Sequence, residues 1–304
     1  MAGHRIASLL PSTTEIVCAL GAGAELVARS HECDFPPEIV SLPACTAARF
    51  GDGSSREIDD RVKDLVGRGL SVYDVDAERL RELAPTIVLT QDQCDVCAAS
   101  LSDVEQALGD WTGTRPELIS LAPQTLADVF RDVATVGAAL GRSDEAERLV
   151  AAWTERVSEI GERTGALPKP RVACIEWLDP LMSAGNWVPE LVALAGGEPL
   201  FATVGAHSPW LEWEELRAAD PDVVIAMPCG FDLERTRTEL HHLVQRPGWT
   251  ELRAVRAGRV HIVDGNAYFN RPGPRLIESL EILCEILHPG QLAFGHSGSG
   301  HAPA

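Results

Sequence analysis

Basic residues are scarce in this sequence. Its 304 residues include 26 lysines and arginines against 45 aspartates and glutamates, which gives a formal net charge of −19 at pH 7. Nucleic acids and anionic membranes are bound through basic surfaces, so this charge argues against both as main partners. No apolar run approaches the roughly 20 residues of a bilayer-spanning helix, so no insertion into a membrane is expected.

The familiar motifs of enzymes are missing too. The sequence contains no GxGxxG loop, no Walker A loop, no GxSxG elbow and no HExxH helix. Carboxylates are abundant, but no two of them are placed as an evident general acid–base pair. These absences weaken the case for an enzyme without excluding one.

An export signal is not evident near the start of the chain. The apolar run at residues 6–10 is short, and Pro11 interrupts it; Glu15 stands close before Cys18, which does not suit a lipoprotein cleavage site. From the chain as it stands we expect a cytoplasmic protein. If a leader has been removed, the expected location is periplasmic or extracellular.

Apolar residues make up 45% of the chain, an ordinary share for a globular protein. Their spacing alternates between continuous runs, which predict buried strands, and helical stripes. Strands are predicted at residues 5–10, 25–29, 86–90, 118–121, 171–177, 222–227 and 260–263, and helices at 13–20, 54–66, 77–83, 188–195, 213–219 and 274–287. Buried strands that alternate with helices are typical of parallel sheets in an α/β fold.

The order of these elements predicts two Rossmann-like lobes. Residues 1–124 would form an N-terminal α/β lobe and residues 169–292 a C-terminal one. Between them, residues 125–168 show helical spacing without a strand, which indicates either a helical hairpin or one long broken helix. The tail at residues 293–304 is rich in Gly, Ser and His, so we expect it to be disordered.

A weak internal repeat supports the two similar lobes. Residues 80–89 and residues 214–225 both read as the end of a helix, a proline and an apolar strand. Each strand leads into a cysteine-containing loop, with Cys94 and Cys97 in the first and Cys229 in the second. Ligands of parallel sheets gather beyond the carboxyl ends of the strands, so these loops are expected to line a cleft between the lobes.

Eight cysteines are too sparse for a disulfide scaffold. Three of them lie in apolar elements and are expected in the core: Cys18, Cys174 and Cys284. The CxxC pair in the first lobe is interpreted in three ways: inert loop cysteines, thiols that line the cleft, or a structural zinc site, the last being disfavoured because no second CxxC is present. A composite soft-metal site would use Cys33, Cys94, Cys97, Cys229 and His31.

Tryptophans are concentrated in the second lobe although aromatic residues make up only 5% of the chain. Trp213 lies on a predicted helix and is expected in the core. Trp177 and Trp210 are surrounded by polar and turn residues, and Trp187 also falls near a strand end. Flat side chains in a wide cleft suit a large planar ligand, which we expect at these positions.

Three segments resemble a known family. Residues 6–21, with the sequence IASLLPSTTEIVCALG, are similar to the opening of periplasmic-binding proteins for vitamin B12 and iron–siderophore complexes. The PDVVIAM segment at residues 221–227 and the NRPGPRL segment at residues 270–276 fit the same family. The likeness extends to about residue 289 and is greatest to the cobalamin-binding branch, of which this chain resembles a leaderless relative.

The resemblance implies two α/β lobes joined by a helical backbone, with the ligand held between them and delivered to an ABC transporter permease. The implied ligand is a cobalamin-like corrinoid or another metal chelate. The residues expected to bind it are Pro11, Ser12, Thr13, Thr14, Gln91, Asp92, Gln93, Trp177, Trp187, Trp210, Gly230, Phe231, Asn270 and Arg271.

Two features depart from the family pattern: the missing leader and the cysteine-containing loops. They suggest a relative that holds or handles a corrinoid or metal chelate inside the cell instead of importing it. Two alternatives therefore stay open. The chain could be a thiol- or metal-dependent enzyme acting through Cys94 and Cys97, or it could bind a soft metal ion directly, without an organic ligand.

Overall fold

A computed structural model of the chain describes residues 3–93, 98–109, 111 and 113–304. Its strands are β1 Ile6–Ser8, β2 Leu26–Arg29, β3 Thr46–Ala48, β4 Tyr73–Val75, β5 Ile87–Gln91, β6 Glu117–Leu121, β7 Arg171–Leu178, β8 Leu181–Ser183, β9 Glu198–Pro199, β10 Val223–Ala226, β11 Val260–Val263 and β12 His301–Pro303. Its helices are α1 Pro11–Ala19, α2 Ser55–Gly67, α3 Ala77–Leu83, α4 Leu101–Ala107, α5 Leu126–Ala139, α6 Ser143–Thr164, α7 Val188–Leu194, α8 Trp213–Ala219, α9 Leu233–Glu239, α10 His241–Val244, α11 Arg253–Arg256 and α12 Leu276–Leu287. None of the described helices is both long enough and apolar enough to span a membrane.

The chain divides into two compact units. Unit 1 comprises Met1–Gly53, Glu57–Pro123 and Asp128–Val150. Its main sheet has the strand order β2-β1-β5-β6, and all neighbours in it are parallel. Strands β3 and β4 form a separate antiparallel pair. Its central strands, β1 and β5, are buried along their whole length, as is typical of parallel sheets that are covered on both faces. The parallel sheet confirms the predicted α/β class for this half.

Unit 2 comprises Ser54–Arg56, Gln124–Ala127 and Ala151–Ala304. Its sheet has the order β12-β11-β10-β7-β8, with β9 beside β7. Strands β11, β10 and β7 are parallel, whereas β8 and β12 run antiparallel to their neighbours. The prediction of a disordered tail is wrong at its end, since β12 belongs to that tail and is ordered by backbone pairing with β11.

The internal repeat is visible in the backbone. Helices α3 and α8 each end in a left-handed residue, Ala84 with φ 43° and Asp220 with φ 44°. A proline follows both residues, and β5 or β10 begins directly afterwards. A left-handed C-cap turns the chain sharply out of the helix, and the proline prevents its continuation. The same combination of a left-handed C-cap and a proline therefore precedes one central strand in each sheet.

The segment at residues 125–168, predicted as a helical hairpin or one long broken helix, contains the two helices α5 and α6. Helix α5 ends before Gly141, whose φ of 65° allows a tight turn, and α6 starts at Ser143. In that turn the Arg142 N–H donates to the carbonyl of Gly137 at 2.7 Å. The division between the two units falls within α6, after Val150.

One carboxylate in α5 is poorly matched to its surroundings. Asp132 has an Oδ2 atom that is buried and lacks a partner among the described residues. Burial, together with the nearby charge of Asp128, raises its pKa to about 7. An acid whose pKa is higher in the folded state is destabilising once it ionises.

We therefore expect the free energy of unfolding to fall as the pH rises from about 4 to about 7, and the variant Asp132→Asn to abolish that fall. At pH 8 the variant should be more stable than the wild type by about 2 kcal/mol, the usual cost of a buried unsatisfied group. Urea unfolding followed between pH 4 and pH 8 measures both effects. The control is Asp60→Asn, at an exposed aspartate of α2, for which the pH dependence should match that of the wild type.

Candidate functional site

The opening motif, residues 6–21, forms β1 and the helix α1 that follows it. The helix starts at Pro11, and its N-cap is Leu10, which offers no side-chain hydrogen bond. The predicted start of this helix at residue 13 is two residues late, because Pro11 takes the first helical position, where its missing N–H costs nothing. The first N–H groups of α1 therefore have no side-chain cap from residue 10.

The hydroxyl groups of the opening motif face the interior of unit 1. Oγ1 of Thr13 lies 2.6 Å from Oγ of Ser8, and the hydroxyl of Thr14 donates to the same Ser8 oxygen at 2.8 Å. Ser12 is also buried, whereas Pro11 is half-buried. The predicted contact of this motif with a ligand stays a prediction, and the hydroxyls of Thr13 and Thr14 already have partners within unit 1.

The candidate metal ligands of unit 1 are similarly engaged. Cys33 is buried, with its sulfur 3.1 Å from Oγ1 of Thr14. His31 places Nδ1 2.7 Å from Oγ1 of Thr46, and burial lowers the pKa of its ring. Within the residues that the structure describes, no group of three or more His, Cys, Asp or Glu side chains is arranged to hold a metal ion.

The CxxC pair, Cys94 and Cys97, lies outside the described residues, so its role stays a prediction. Three cysteines expected in the core behave as apolar side chains. Cys174 and Cys284 are buried, and Cys18 is half-buried. Burial raises the pKa of the Cys18 thiol to about 11 and those of Cys174 and Cys284 to about 12, which keeps these three sulfurs protonated and unreactive at neutral pH.

The predicted ligand residues at the carboxyl end of β5 differ in burial. The amide of Gln91 is buried; its Nε2 donates to the carbonyl of Ala98 at 3.3 Å, and its Oε1 accepts the N–H of Gln93 at 2.6 Å. The Gln91 side chain thus contacts both Gln93 and Ala98. Asp92 is exposed, and its N–H donates to the carbonyl of Leu121 on the neighbouring strand. Of the three predicted ligand residues here, Asp92 and Gln93 are the more open to solvent.

In unit 2, strand β7 changes its pairing near its carboxyl end. Ile175 pairs with Ser183 of β8, but the next paired residue, Trp177, pairs with Met182, so Glu176 is the extra residue of a β-bulge. Bulges interrupt the strict alternation of faces and re-aim side chains, and they are frequent beside functional sites. The bulge explains why Glu176 and Trp177 are both partly accessible while their neighbours are buried.

Glu176 lies in a small polar cluster that the sequence did not predict. Ser208 donates its hydroxyl to Oε2 of Glu176 at 2.8 Å, and the N–H of Gly185 donates to that hydroxyl at 3.0 Å. A Cβ on Gly185 would come within 2.5 Å of the backbone nitrogen of Ser208, so only glycine permits this approach. Burial raises the pKa of Glu176, against the opposing effect of the Ser208 hydrogen bond. A glutamate inside an otherwise apolar strand was the available signal.

The loops after β10 and β11 pack against each other and against the bulge. The N–H of Cys229 donates to the carbonyl of Glu176 at 3.1 Å. The N–H of Asn266 donates to the carbonyl of Phe231, also at 3.1 Å. The loop after β11, residues 264–271, is called the edge loop below. It opens with one π-helical turn, Gly265–Phe269, a rare element that is often found at functional sites.

An aromatic pair lies at this edge. The rings of Trp177 and Phe231 are 5.4 Å apart and tilted by 55°, a favourable geometry for two aromatic side chains. The guanidinium of Arg235 lies 3.8 Å from the centre of the Phe231 ring, which adds a cation–π contact. Phe231 itself is buried, so it supports Trp177, which is only half-buried. Gly230, beside it, is exposed with φ 76°.

Two buried polar atoms of the predicted ligand residues have no hydrogen-bond partner within the described part of the chain. They are Nε1 of Trp177, a donor, and Oδ1 of Asn270, an acceptor. Such atoms are costly to bury unpaired, and they are found at sites where a bound molecule supplies the missing bond. Arg271, also predicted, is buried and donates to Oδ1 of Asn266 at 3.0 Å.

The other tryptophans have different environments. Trp187 is buried, and its indole N–H donates to the carbonyl of Phe269 at 2.9 Å, so it packs under the edge loop. Its predicted ligand contact stays a prediction, while its packing role is visible. Trp210 is 57% exposed. Trp213 is buried, as expected for the core, and stacks on Trp249 at 6.3 Å.

Residues 6–267 match the family model for periplasmic binding proteins, which is most of the chain. The chain belongs to the periplasmic binding protein family. This membership confirms the resemblance seen in the opening motif. The relatives are named as binding proteins, so the prediction of a non-catalytic binding protein is also confirmed at the level of the family.

Curated relatives of this binding protein match along nearly its whole length. It is 25% identical to an uncharacterised ABC transporter substrate-binding lipoprotein of Bacillus subtilis, over 94% of this chain and 80% of the relative. It is 24% identical to a vitamin B12-binding protein of Vibrio cholerae, over 95% of this chain and 90% of the relative.

Solved structures show the same two-lobed α/β fold. A periplasmic heme binding protein from Pseudomonas aeruginosa aligns with a TM-score of 0.72 at 22% identity, covering 94% of this chain and 93% of that one. The periplasmic vitamin B12 binding protein BtuF of Vibrio cholerae aligns with a TM-score of 0.66 at 20% identity, covering 93% and 96%. These likenesses establish the fold and leave the ligand to be argued from the residues of this chain.

Proposed function

We propose that this chain is a solute-binding protein for a cobalamin-like corrinoid, which it presents to the permease of an ABC transporter. The observation that carries the choice of ligand is the pair of unpartnered buried atoms at the edge of unit 2, the Trp177 donor and the Asn270 acceptor. A ligand that satisfies both must offer an acceptor and a donor along its rim.

Corrinoids and haem differ in that respect. The periphery of a corrin carries amide side chains, each of which has both a carbonyl acceptor and an N–H donor. The propionates of haem, when ionised, can accept hydrogen bonds but cannot donate them. An amide rim would therefore complete both Trp177 and Asn270, whereas a haem propionate would complete Trp177 alone. The ring of Trp177, backed by Phe231, offers an apolar face for a large flat molecule.

The relatives support the same choice without deciding it. Vitamin B12-binding proteins of Vibrio cholerae are similar to this chain over 95% of its length. The Bacillus subtilis relative is named as the substrate-binding lipoprotein of an ABC transporter. We propose the same task for this chain: capture of a chelate outside the cytoplasmic membrane and its transfer to a permease. This replaces the expectation of intracellular handling.

The test is a titration followed by visible absorption, in which reduced, metal-free protein is mixed with aquocobalamin in one series and with haemin in another. We expect aquocobalamin to saturate near one equivalent and haemin to bind more weakly. A shifted cobalt spectrum would show that a protein group has replaced the axial water. An unshifted spectrum at saturation would mean that the corrinoid is held by its rim and face.

Asn270→Leu is the matched variant for this titration. It keeps roughly the size of the side chain but removes the acceptor. We expect it to weaken aquocobalamin binding by about tenfold, the loss of one hydrogen bond worth about 1.4 kcal/mol, and to leave the weak binding of haemin unchanged. Tight stoichiometric binding of haemin, with none of aquocobalamin, would contradict the proposal and assign a porphyrin ligand.

A further inference from the structure

Residues 293–304, called the tail segment below, lie against β11 and α12 in unit 2. Strand β12 within this segment pairs antiparallel with β11, with His261 opposite Pro303 and Val263 opposite His301. Without this pairing β11 would be the edge of the sheet. The tail segment therefore completes the sheet of unit 2 on the side away from β8.

The first point of attachment is Glu285, near the end of α12. Its Oε1 accepts the backbone N–H of Gly295 at 2.6 Å and also that of Phe294, and its Oε2 lies 2.9 Å from Nε2 of His301. The side chains of Glu285 and His301 are both almost fully buried. A single buried carboxylate thus fixes both ends of the tail segment.

The second point of attachment lies one helical turn earlier. Oε2 of Glu281 is 2.9 Å from Nε2 of His296, and its Oε1 accepts Nε of Arg156 at 2.9 Å. The Arg156 guanidinium also lies over the ring of Phe294, at 5.1 Å from its centre. Gly300 packs so closely on α12 that a Cβ there would come within 2.7 Å of Ile282.

The tail segment also contacts the edge loop. The N–H of Asp264, the first residue of that loop, donates to the carbonyl of Gly300 at 3.0 Å. The ring of Tyr268 meets the ring of His296 at 6.3 Å in an edge-to-face arrangement. The carbonyl of Tyr268 in turn accepts the hydroxyl of Ser279 on α12 at 2.6 Å. The π-helical turn is therefore bounded by the tail segment at its start and near its end.

From these contacts we infer that the tail segment positions the edge loop for ligand binding, with His301 and Glu285 as the positioning residues. The inference rests on the proposed function only in taking Asn270 of the edge loop as a ligand contact. Glu285 and His301 do not touch the ligand; they hold Gly300 at the place where its carbonyl fixes Asp264. Loss of the attachment frees the start of the loop.

The test uses the full chain with His301→Ala, which removes the ring that pairs with Glu285. We expect amide hydrogen exchange of residues 264–270 to accelerate by at least about tenfold, because the loop opens locally when its anchor is lost. We expect aquocobalamin affinity to fall by about tenfold, a usual size for coupling between two sites. His301→Gln, which keeps an N–H donor in reach of Glu285, should restore most of both quantities.

His241→Ala is the matched control, since His241 is an exposed histidine of unit 2. It should change neither exchange nor affinity. If His301→Ala lowers the yield of folded protein, Glu285→Gln provides a second variant that weakens the same attachment at constant size. Faster exchange confined to residues 293–304, with the edge loop still protected, would overturn the inference. So would an unchanged aquocobalamin affinity in a variant whose edge loop exchanges faster.

The two proposals fail in different ways. If the wild-type chain binds no aquocobalamin, the proposed ligand is wrong, yet exchange of residues 264–270 in the His301 variants still shows whether the tail segment orders the loop. If the wild type binds and the variants exchange and bind like it, the proposed function stands and the positioning role is wrong.

Discussion

The variant Trp177→Ala is expected to bind aquocobalamin about 2 kcal/mol more weakly than the wild type, a loss of roughly thirtyfold. The indole is half-buried against Phe231 at the edge of unit 2, so it offers a rigid apolar face together with an unpartnered N–H. Truncation to alanine removes both. Equilibrium dialysis or absorption titration at one salt concentration measures the change.

Two further variants separate the contributions of this side chain. Trp177→Phe keeps an aromatic ring beside Phe231 but removes the indole N–H, so the affinity should fall by only about 1 kcal/mol, the worth of one hydrogen bond. Trp210→Ala removes an exposed indole and should also weaken binding if Trp210 faces the ligand as predicted. If Trp177→Ala and Trp210→Ala both bind like the wild type, with unchanged unfolding midpoints, the proposed binding surface is wrong.

Gly265→Ala is expected to destabilise the folded protein by about 3 kcal/mol, a large effect for one methyl group. A Cβ at this position would lie 2.4 Å from the carbonyl oxygen of Pro228 and 3.0 Å from the carbonyl carbon of Met227. Both are backbone atoms, so neither can rotate away as a side chain could. Urea unfolding followed by tryptophan fluorescence measures the change in free energy.

The control for that variant is Gly161→Ala in the last turn of α6. Nothing lies within 4 Å of a Cβ built on Gly161, and its φ is ordinary for a helix. Alanine there should stabilise the protein by about 0.5 kcal/mol through helix propensity. The two substitutions add the same methyl group with opposite expected signs. Ordinary surface substitutions change the free energy of unfolding by less than about 0.5 kcal/mol. If Gly265→Ala has an effect that small, the loops after β10 and β11 can separate to make room for the methyl group.

Predictions from local pattern succeeded where a single physical cause acts along a few neighbouring residues. Helix α8 has the predicted bounds, and α3 starts after Asp76, whose carboxylate accepts the N–H of Arg79 as a helix cap. Strands β5, β10 and β11 fall within one or two residues of the apolar runs. Buried parallel strands are continuous apolar runs because both faces are covered, and this signal survives in any context.

Predictions failed where the partner is distant in sequence. Strand β12 is only three residues long and lies in a segment rich in Gly and Ser; its order comes from β11 and from Glu285, sixteen residues before His301. The predicted start of α1 failed for a local reason instead. Pro11 begins the helix two residues before the predicted residue 13, and the hydroxyl of Thr13 lies 2.6 Å from Oγ of Ser8.

The candidate site shows the same contrast. Trp177, Phe231 and Asn270 were predicted from the sequence, partly through the family resemblance, and they all lie at the edge of unit 2. The bulge that exposes Trp177, and the cluster of Glu176, Ser208 and Gly185 beside it, were not predicted. A bulge depends on the register between β7 and β8, and register is a property of two strands that no single segment encodes.

By itself, then, the sequence determined the α/β class, the order of the main helices and strands, and membership in a family of binding proteins. Those features follow from hydrophobic spacing, capping residues and a contiguous motif, all of which act over short distances along the chain. The tertiary structure alone decided which side chains are available to a ligand. Hydrogen bonds to Ser8 engage Thr13 and Thr14, and one to the distant carbonyl of Phe269 engages Trp187. The indole nitrogen of Trp177 and the amide oxygen of Asn270 have no partners in the described chain.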